Sequence, residues 1–293
     1  MLDANVLEAY RAAGGIAAKV REEAGKIVKE GTPLIKICDV LEKRIVREGG
    51  KPAFPLNVSL NDVAAHYTSP PDDKTIIPPK ALVKVDIGVH VEGYIADTAV
   101  TISVGKVGME LIKASELALE NALKTIKHGA KSNSIGEIVE KTIKEFGFKP
   151  ISNLTGHLLE RYNLHAGKSI PNVNTRIGFV LKEGEVYAME PFATTGEGIV
   201  EDSKYAYIYR LPSHKTSTQF LSYIAREFKT LPFAARWLIY KFPRNKIEEL
   251  IRKFVSAQTI QAYPVLVERG KGAVSQAEHT FIVKRNGCEI ISA

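Results

Sequence analysis

Residues 83–102 read V-K-V-D-I-G-V-H-V-E-G-Y-I-A-D-T-A-V-T-I, which is the clearest strand signal in the chain. Apolar residues alternate with polar or small ones, and the alternation breaks at Glu92 and Gly93. A period of two is typical of β-strands, and a glycine-containing break between two such runs indicates a tight turn. The stretch is therefore predicted to form a β-hairpin that turns near residues 91–93.

Two aspartates, Asp86 and Asp97, lie inside these apolar strands. Aspartate is depleted in strands, and burying an ionised carboxylate costs several kcal/mol unless it is paired or bound to a metal. Across the predicted hairpin the two positions come nearly opposite one another, so their Cβ atoms are expected about 5 Å apart on one face. That spacing suits two carboxylates that share a metal pair about 3.5–4 Å wide. The alternative is a pair of aspartates on a solvated sheet face.

Further along the chain, His157, Glu190 and Glu278 each provide a possible metal ligand inside strand-like sequence. Singly, each has an ordinary explanation, as a core histidine or as a glutamate at a sheet edge or in a salt bridge. With the two aspartates they form four carboxylates and one imidazole. This oxygen-rich set suits Mn, Co, Fe(II) or Zn better than it suits a single structural zinc ion, which prefers Cys and His ligands. Because four negative charges balance two divalent ions, two metal ions per chain are predicted.

The rest of the chain repeats one layout. Apolar residues recur at helical spacing over residues 5–29 and 34–45, ahead of the hairpin, and again over residues 110–128 and 134–146, ahead of the segments that contain His157 and Glu190. The repeated order of two helices followed by strands predicts an α+β fold with a pseudo-two-fold antiparallel sheet backed by helices.

Residues 203–262 interrupt this layout with helical patterning and are predicted to form an inserted basic subdomain. The catalytic domain would then comprise residues 1–202 and 263–293. The inserted segment contains 11 Lys or Arg and three acidic residues, whereas the rest of the chain is close to neutral. A basic surface of this kind suits an anionic partner such as RNA. A solvated face without a partner is the alternative.

The composition is that of an ordinary soluble protein, with 293 residues of which 45% are hydrophobic and 25% charged. The first ten residues lack the basic and apolar regions of a signal peptide, and no apolar run approaches the roughly 20 residues of a membrane span. The two cysteines, Cys38 and Cys288, are too few for a disulfide framework. We therefore expect a cytoplasmic monomer with no membrane contact.

Five segments together resemble the type II methionine aminopeptidases. They are A-A-H-Y-T (64–68), V-D-I-G-V-H-V-E-G-Y-I-A-D-T-A (85–99), G-H-L-L-E-R-Y-N-L-H-A-G-K-S-I-P (156–171), E-P-F-A-T-T-G (190–196) and Q-A-E-H-T (276–280). The resemblance implies the family's pita-bread fold, and residues 203–262 lie where that family carries an insertion similar to a winged helix. Since the long charged N-terminal extension of eukaryotic members is absent, the sequence is similar to archaeal members.

The resemblance also implies how the metal ligands are shared. Asp86 would chelate one ion, Asp97 and Glu278 would bridge both ions, and His157 and Glu190 would hold the other.

Five further residues match positions that line the family's substrate site. His66 would lie near the scissile amide and His165 near the carbonyl oxygen. An apolar pocket for the methionine side chain would include Phe54, Leu164 and Tyr263, which could equally be ordinary core residues.

The activity implied is removal of the initiator methionine from nascent polypeptides, with a preference for a small second residue. A hydroxide held between two divalent ions would attack the carbonyl carbon at physiological pH. Glu190 would act as the general base, His165 would bind the developing oxyanion and His66 would assist the departing amide. His279, next to the last ligand, should face the other side of its strand, where no role is assigned to it.

Two other functions share parts of this pattern. One is a proline-directed peptidase of the aminopeptidase P and prolidase kind, which uses the same ligand plan but usually carries an additional N-terminal domain. The other is a non-catalytic binding paralogue that keeps the fold and lacks ligands, whereas all five ligands are present here. The basic segment 203–262 further suggests docking on the ribosome through ribosomal RNA.

Overall fold

The computed structural model describes residues 2–212 and 218–293, and in it helices and antiparallel strands alternate along the chain. The helices are α1 (Ala4–Ile27), α2 (Leu34–Arg47), α3 (Met109–Thr125), α4 (Ser132–Glu145), α5 (Gln219–Phe228) and α6 (Arg244–Ser256), with a short 3-10 helix at Ala235–Leu238. The strands are β1 (Lys51–Pro52), β2 (Asn57–Leu60), β3 (Val63–Ala65), β4 (Ala81–Val91), β5 (Tyr94–Val104), β6 (Lys149–Pro150), β7 (Thr155–Leu159), β8 (Ser169–Pro171), β9 (Val186–Met189), β10 (Phe192–Thr194), β11 (Val200–Arg210), β12 (Phe233–Ala234), β13 (Gln261–Glu268), β14 (Val274–Gln276), β15 (His279–Lys284) and β16 (Gly287–Ile290). The predicted α+β class is confirmed.

The predicted hairpin is formed by β4 and β5, two antiparallel strands of 11 residues each. Its turn is Glu92-Gly93, and both residues have positive φ, 52° and 92°. Glycine adopts this backbone region without steric cost, and a Cβ on Gly93 would lie 2.4 Å from the Tyr162 ring. The prediction of the hairpin and of its turn is confirmed.

In the first half of the molecule, α1 and α2 cover one face of the sheet of β1, β4, β2 and β5. Val83, Val85 and Ile87 of β4 belong to the core under these helices. Because side chains alternate along a strand, Asp86 and Gly88 face the opposite side of the sheet. The helices thus fix which side of the hairpin is available for a site.

In the second half, α3 and α4 pack against the sheet ordered β16-β15-β9-β7-β8. Leu158 of β7, Tyr187 of β9 and Phe281 of β15 are part of the core under these helices. The two halves meet at an antiparallel bridge between Ala99 and Glu278. The site predicted from the sequence therefore lies at the seam between the halves.

One contact brings the last residues of the sequence onto α1. A Cβ on Gly14 would lie 2.1 Å from the carbonyl oxygen of Ile291, so only glycine allows this approach. The neighbouring Ser292 is completely buried.

The segment predicted as an insertion leaves the body along β11 and returns along β13, which pair with each other in the sheet ordered β12-β11-β13-β3. Between these strands, a separate hydrophobic cluster extends from Leu211 to Ile260. Residues 213–217 of the predicted insertion lie outside the described residues. Among the helices described, none is both long and apolar enough to cross a membrane.

Candidate metal centre

A cavity of about 300 Å³ lies at the seam between the halves. All ten residues singled out in the sequence line it: Phe54, His66, Asp86, Asp97, His157, Leu164, His165, Glu190, Tyr263 and Glu278. They come from strands and connections of both halves, so the fold brings together residues that are far apart in the sequence.

Asp86 and Asp97 share one face of the hairpin, but they are not directly opposite one another. Asp86 pairs with Ala99, and Asp97 pairs with Gly88. The aspartates are diagonal neighbours, a pair of positions whose Cβ atoms lie somewhat less than about 7–8 Å apart, still wider than the expected 5 Å. The expected spacing was too short because the turn lies at Glu92-Gly93, whereas direct opposition would need a turn at residues 91–92; the partner of Asp86 is therefore Ala99, two residues beyond Asp97.

The ligand candidates of the second half differ in their backbone setting. His157 lies within β7, whereas Glu190 lies between β9 and β10, and Glu278 lies between β14 and β15. The expectation that all three lie inside strands is therefore wrong for the two glutamates. Pro191 follows Glu190, and proline has no N–H to donate to a ladder, so the strand ends there.

The ligand atoms of the cluster converge. The Nε2 atom of His157 lies 3.6 Å from Oδ2 of Asp97 and 3.4 Å from Oε1 of Glu190. One ligand atom from each of Asp97, His157 and Glu278 falls within a group 4.8 Å across. This separation is close enough for the three residues to bind one ion together.

The sequence analysis assigned no role to Gln276, although it lies in one of the quoted segments. Its Nε2 atom lies 3.5 Å from Oε2 of Glu190 and 3.4 Å from Oε2 of Glu278. The signal was available, because Gln276 is two residues before Glu278 and such positions share a strand face. Gln276 orients both glutamates from one side.

The carboxyl groups cannot all be ionised without a cation. Burial raises the pKa of Asp86 to about 7. Burial, followed by repulsion from neighbouring carboxylates, raises the pKa values of Asp97, Glu190 and Glu278 well above the usual range. Such clusters need positive charge to be stable in the ionised form.

The remaining atoms of the site fit a metal as well. Burial and the nearby His165 lower the pKa of His157 well below its usual value, so the imidazole is neutral. Buried Oδ1 atoms of Asp86 and Asp97 have no hydrogen-bond partner. Buried polar atoms are nearly always satisfied in proteins, so unsatisfied carboxylate oxygens beside a neutral imidazole match the donor set of divalent transition metals.

Two more histidines border the ligand cluster. The Nδ1 atom of His66 lies 3.1 Å from the carbonyl oxygen of Pro264, which only accepts, so Nδ1 carries the proton and Nε2 is an acceptor. Burial lowers the pKa of His66, and burial together with His66 lowers that of His165 to about 4. Both rings are therefore neutral at pH 7. His66 also has φ of 63°, a left-handed value that is uncommon for residues other than glycine and is found at active sites among other places.

Part of the cavity wall is apolar. Phe54, Leu164 and Tyr263 line it together with Phe192 and Ile208. A Cβ at position 88 would lie 2.2 Å from the Phe54 ring, so the glycine between the two aspartates allows the ring to lie on the strand. The wall can hold an unbranched apolar side chain next to the acidic cluster.

His279 faces away from this cavity, as the strand alternation predicts. Its Nδ1 atom lies 3.1 Å from a guanidinium nitrogen of Arg21 and 3.3 Å from the hydroxyl of Ser292. It lines a different cavity, together with Arg21.

Comparison with known proteins places these features in a family. Residues 8–237 match the sequence model of metallopeptidase family M24. The methionine aminopeptidase of Methanothermobacter thermautotrophicus is 45% identical over 295 residues, which cover 98% of this chain and 99% of that protein. Among solved structures, a thermophilic Arx1 superposes with a TM-score of 0.85 at 20% identity, covering 99% of this chain and 91% of the other. The methionine aminopeptidase of Thermotoga maritima superposes with a TM-score of 0.74 at 21% identity, covering 99% and 98%. At these identities the structural likeness concerns the fold.

Proposed function

Because the chain belongs to metallopeptidase family M24 and, within it, to the methionine aminopeptidases, we propose that it removes the N-terminal methionine from nascent polypeptides whose second residue is small. The observation that carries this proposal is the convergence of four carboxyl groups and one neutral imidazole at the floor of a cavity with an apolar wall. The acidic cluster suits the substrate's free α-amine, and the wall suits the methionine side chain.

The proposed metal ligands are Asp86, Asp97, His157, Glu190 and Glu278. Their four negative charges match two divalent ions. Co, Mn, Fe(II) and Zn ions all accept this mixture of oxygen and nitrogen ligands. When bound, such ions supply an activated water at neutral pH and polarise the substrate carbonyl.

The chain's own groups then handle protons and charge. Glu190 is the candidate general base, since Gln276 orients its second oxygen. His165 is the candidate donor to the developing oxyanion. His66, protonated at Nδ1, can accept a hydrogen bond from the N–H of the scissile amide through Nε2, which would orient that amide.

The setting of the activity is part of the proposal. We expect a cytoplasmic monomer whose segment 203–262 contacts ribosomal RNA, since this segment carries 11 basic and three acidic residues. Co-sedimentation with ribosomes should weaken as salt rises, because phosphate contacts release counterions.

A peptide assay tests the activity and separates it from proline-directed cleavage. The metal-stripped protein, reloaded with Mn(II), should release methionine from Met-Ala-Ser, should do so much less from Met-Leu-Ser, and should not cleave Ala-Pro-Ser. Asp97→Asn should abolish the release, whereas Asp39→Asn, an exposed aspartate on α2, should match the wild type. Cleavage of the proline peptide alone would overturn the proposal.

A further inference from the structure

The backbones of Asp97 and Glu278 are fastened to each other by two threonines. The hydroxyl of Thr98 donates to the carbonyl oxygen of Glu278 at 2.7 Å. The hydroxyl of Thr280 accepts from the N–H of Asp97 at 2.7 Å and donates to its carbonyl oxygen at 2.8 Å. Each acid is thus held by a threonine that neighbours the other acid, which links the two halves at the centre of the site.

Behind this link lies Arg21, which projects from α1. One guanidinium nitrogen of Arg21 donates to Thr98 Oγ1 at 2.7 Å, contacts Nδ1 of His279 at 3.1 Å and donates to the carbonyl oxygen of Ser292. Because a guanidinium only donates, Nδ1 of His279 is the acceptor. Hydrogen bonds therefore run in one direction, from Arg21 through Thr98 to Glu278.

Ser292 closes the arrangement from the other side. Its hydroxyl accepts from the N–H of Thr280 at 2.9 Å, and the N–H of Ile291 donates to the carbonyl oxygen of Thr280 at 3.0 Å. The close approach of Ile291 to Gly14 seats this segment on α1, from which Arg21 also projects. Thr280 is consequently fixed at both its backbone and its side chain.

Arg21 is partly buried, yet within the described part of the chain no carboxylate lies at ion-pair distance from it. Removing a cation from water without a counterion is costly, so the hydrogen bonds that the Arg21 guanidinium donates must compensate for its lost hydration. Thr98, one of the acceptors, bonds Glu278, and His279 directly follows Glu278. The third acceptor, Ser292, bonds Thr280.

From this geometry we infer that Arg21, His279 and Ser292 are positioning residues, which together fix the separation of the Asp97 and Glu278 carboxylates from behind the metal cavity. The inference rests on the proposed function insofar as these two acids hold metal. Partners behind the ligands of a metal site commonly change metal affinity about 10–100-fold when removed.

Metal titration of a variant and a matched control tests this inference. Arg21→Met keeps much of the side-chain volume and removes the donors. Arg11→Met is the control, because Arg11 also projects from α1 and bonds Glu289 of β16 at 2.6 Å, away from the acids. Calorimetric titration of stripped protein with Mn(II) should show affinity weakened about 10-fold or more in Arg21→Met and unchanged in Arg11→Met. The visible spectrum of the Co(II)-loaded protein should change in Arg21→Met alone.

Conservative and alternative variants keep the test decisive if Arg21→Met folds poorly. Arg21→Lys retains one donor group and should recover part of the affinity, and Ser292→Ala, which removes one hydroxyl, should weaken it in the same direction. For these variants kcat should fall with KM nearly unchanged. Wild-type affinity and an unaltered Co(II) spectrum in Arg21→Met and Ser292→Ala would overturn the inference while leaving the proposed function intact. A wild-type protein that binds no metal would overturn both.

Discussion

Two regions of the molecule that bury carboxylates differ in how those carboxylates are paired. In the clamp formed by Glu42 of α2 with Arg236 and Trp237, both carboxylate oxygens have donors: Arg236 pairs with the carboxylate, the indole N–H of Trp237 donates at 2.8 Å and the N–H of Leu56 at 3.1 Å. In the metal cavity, four carboxyls crowd together, and the described residues supply no lysine or arginine ion pair to them.

The difference separates structural from functional acids. Both carboxylate oxygens of Glu42 have hydrogen-bond donors. Because Arg236 and Trp237 belong to the predicted insertion, these hydrogen bonds connect the insertion to the body of the protein. The cavity acids leave the Oδ1 atoms of Asp86 and Asp97 without partners. Because buried carboxyl oxygens without partners destabilise a fold, their presence in a cluster of four acids indicates that a ligand completes the site.

The sharpest test of the comparison removes one cavity acid. Glu278→Gln should lower kcat/KM by about 10³-fold or more, since it removes a proposed shared ligand and a group of this kind stabilises the transition state by several kcal/mol. The metal-free variant should melt no lower than the metal-free wild type, because one member of a repelling cluster becomes neutral. Addition of Mn(II) should raise the melting temperature of the wild type far more than that of the variant. A metal-free variant that melts well below the metal-free wild type would contradict the comparison.

Breaking the clamp should have the opposite effect, a loss of stability with little change in activity. Arg236→Met leaves Glu42 buried without its cation, and such breaks cost about 3–5 kcal/mol in the free energy of unfolding. Urea unfolding measures this loss, while kcat of the folded, metal-loaded fraction should stay near wild type. The double variant Glu42→Leu/Arg236→Met serves as the control and should lose less stability than Arg236→Met, since neither charge remains. Equal losses would show that packing, and not the ion pair, matters there.

A third buried acid sharpens the comparison at a smaller scale. Glu268 is completely buried and accepts from the N–H groups of Gly198 and Gly272, each at 3.0 Å. Burial raises the pKa of Glu268, but hydrogen bonds from backbone N–H groups, led by that of Gly272, outweigh burial and lower it. Glu268→Gln directs an amide donor at one of these N–H groups and should cost about 1–3 kcal/mol in the free energy of unfolding.

The pH dependence of this loss of stability follows from the direction of the pKa shift of Glu268. A depressed folded-state pKa means that the stabilisation is present above the unfolded value, about 4.3 for glutamate, and is lost as pH falls through the folded-state pKa. The free energies of unfolding of Glu268→Gln and of the wild type should therefore differ most near neutral pH and approach each other in acid. A difference that is constant with pH would contradict the assigned charge.

Much of the site could be predicted from local patterns. The alternating run around Asp86 and Asp97 specifies a hairpin, and polar residues in otherwise apolar strands identify the cavity floor. The exact register could not be predicted, because it depends on which residues form the turn: a two-residue turn at residues 91–92 would set Asp86 opposite Asp97. The turn is Glu92-Gly93, which sets Asp86 opposite Ala99.

Contacts between segments that are distant in the sequence could not be predicted, for a different reason. Arg236 and Glu42 are 194 residues apart, and nothing in either local sequence specifies the other as partner. The same holds for Thr98 and Thr280, which read as ordinary strand residues until the two halves are brought together. Periodicity predicts which face a side chain occupies, whereas the partner on that face depends on tertiary packing.

The bond between Thr280 and Asp97 spans 183 residues, which has a consequence for the order of events during synthesis. A chain made from its N-terminus completes the first hairpin, with both aspartates exposed at its face, long before the segment with Glu278 exists. Such distant contacts are slow to form because loop closure precedes any gain from them. The growing chain therefore has no complete metal site, and the peptidase can gain activity only after its second half has been made and has docked.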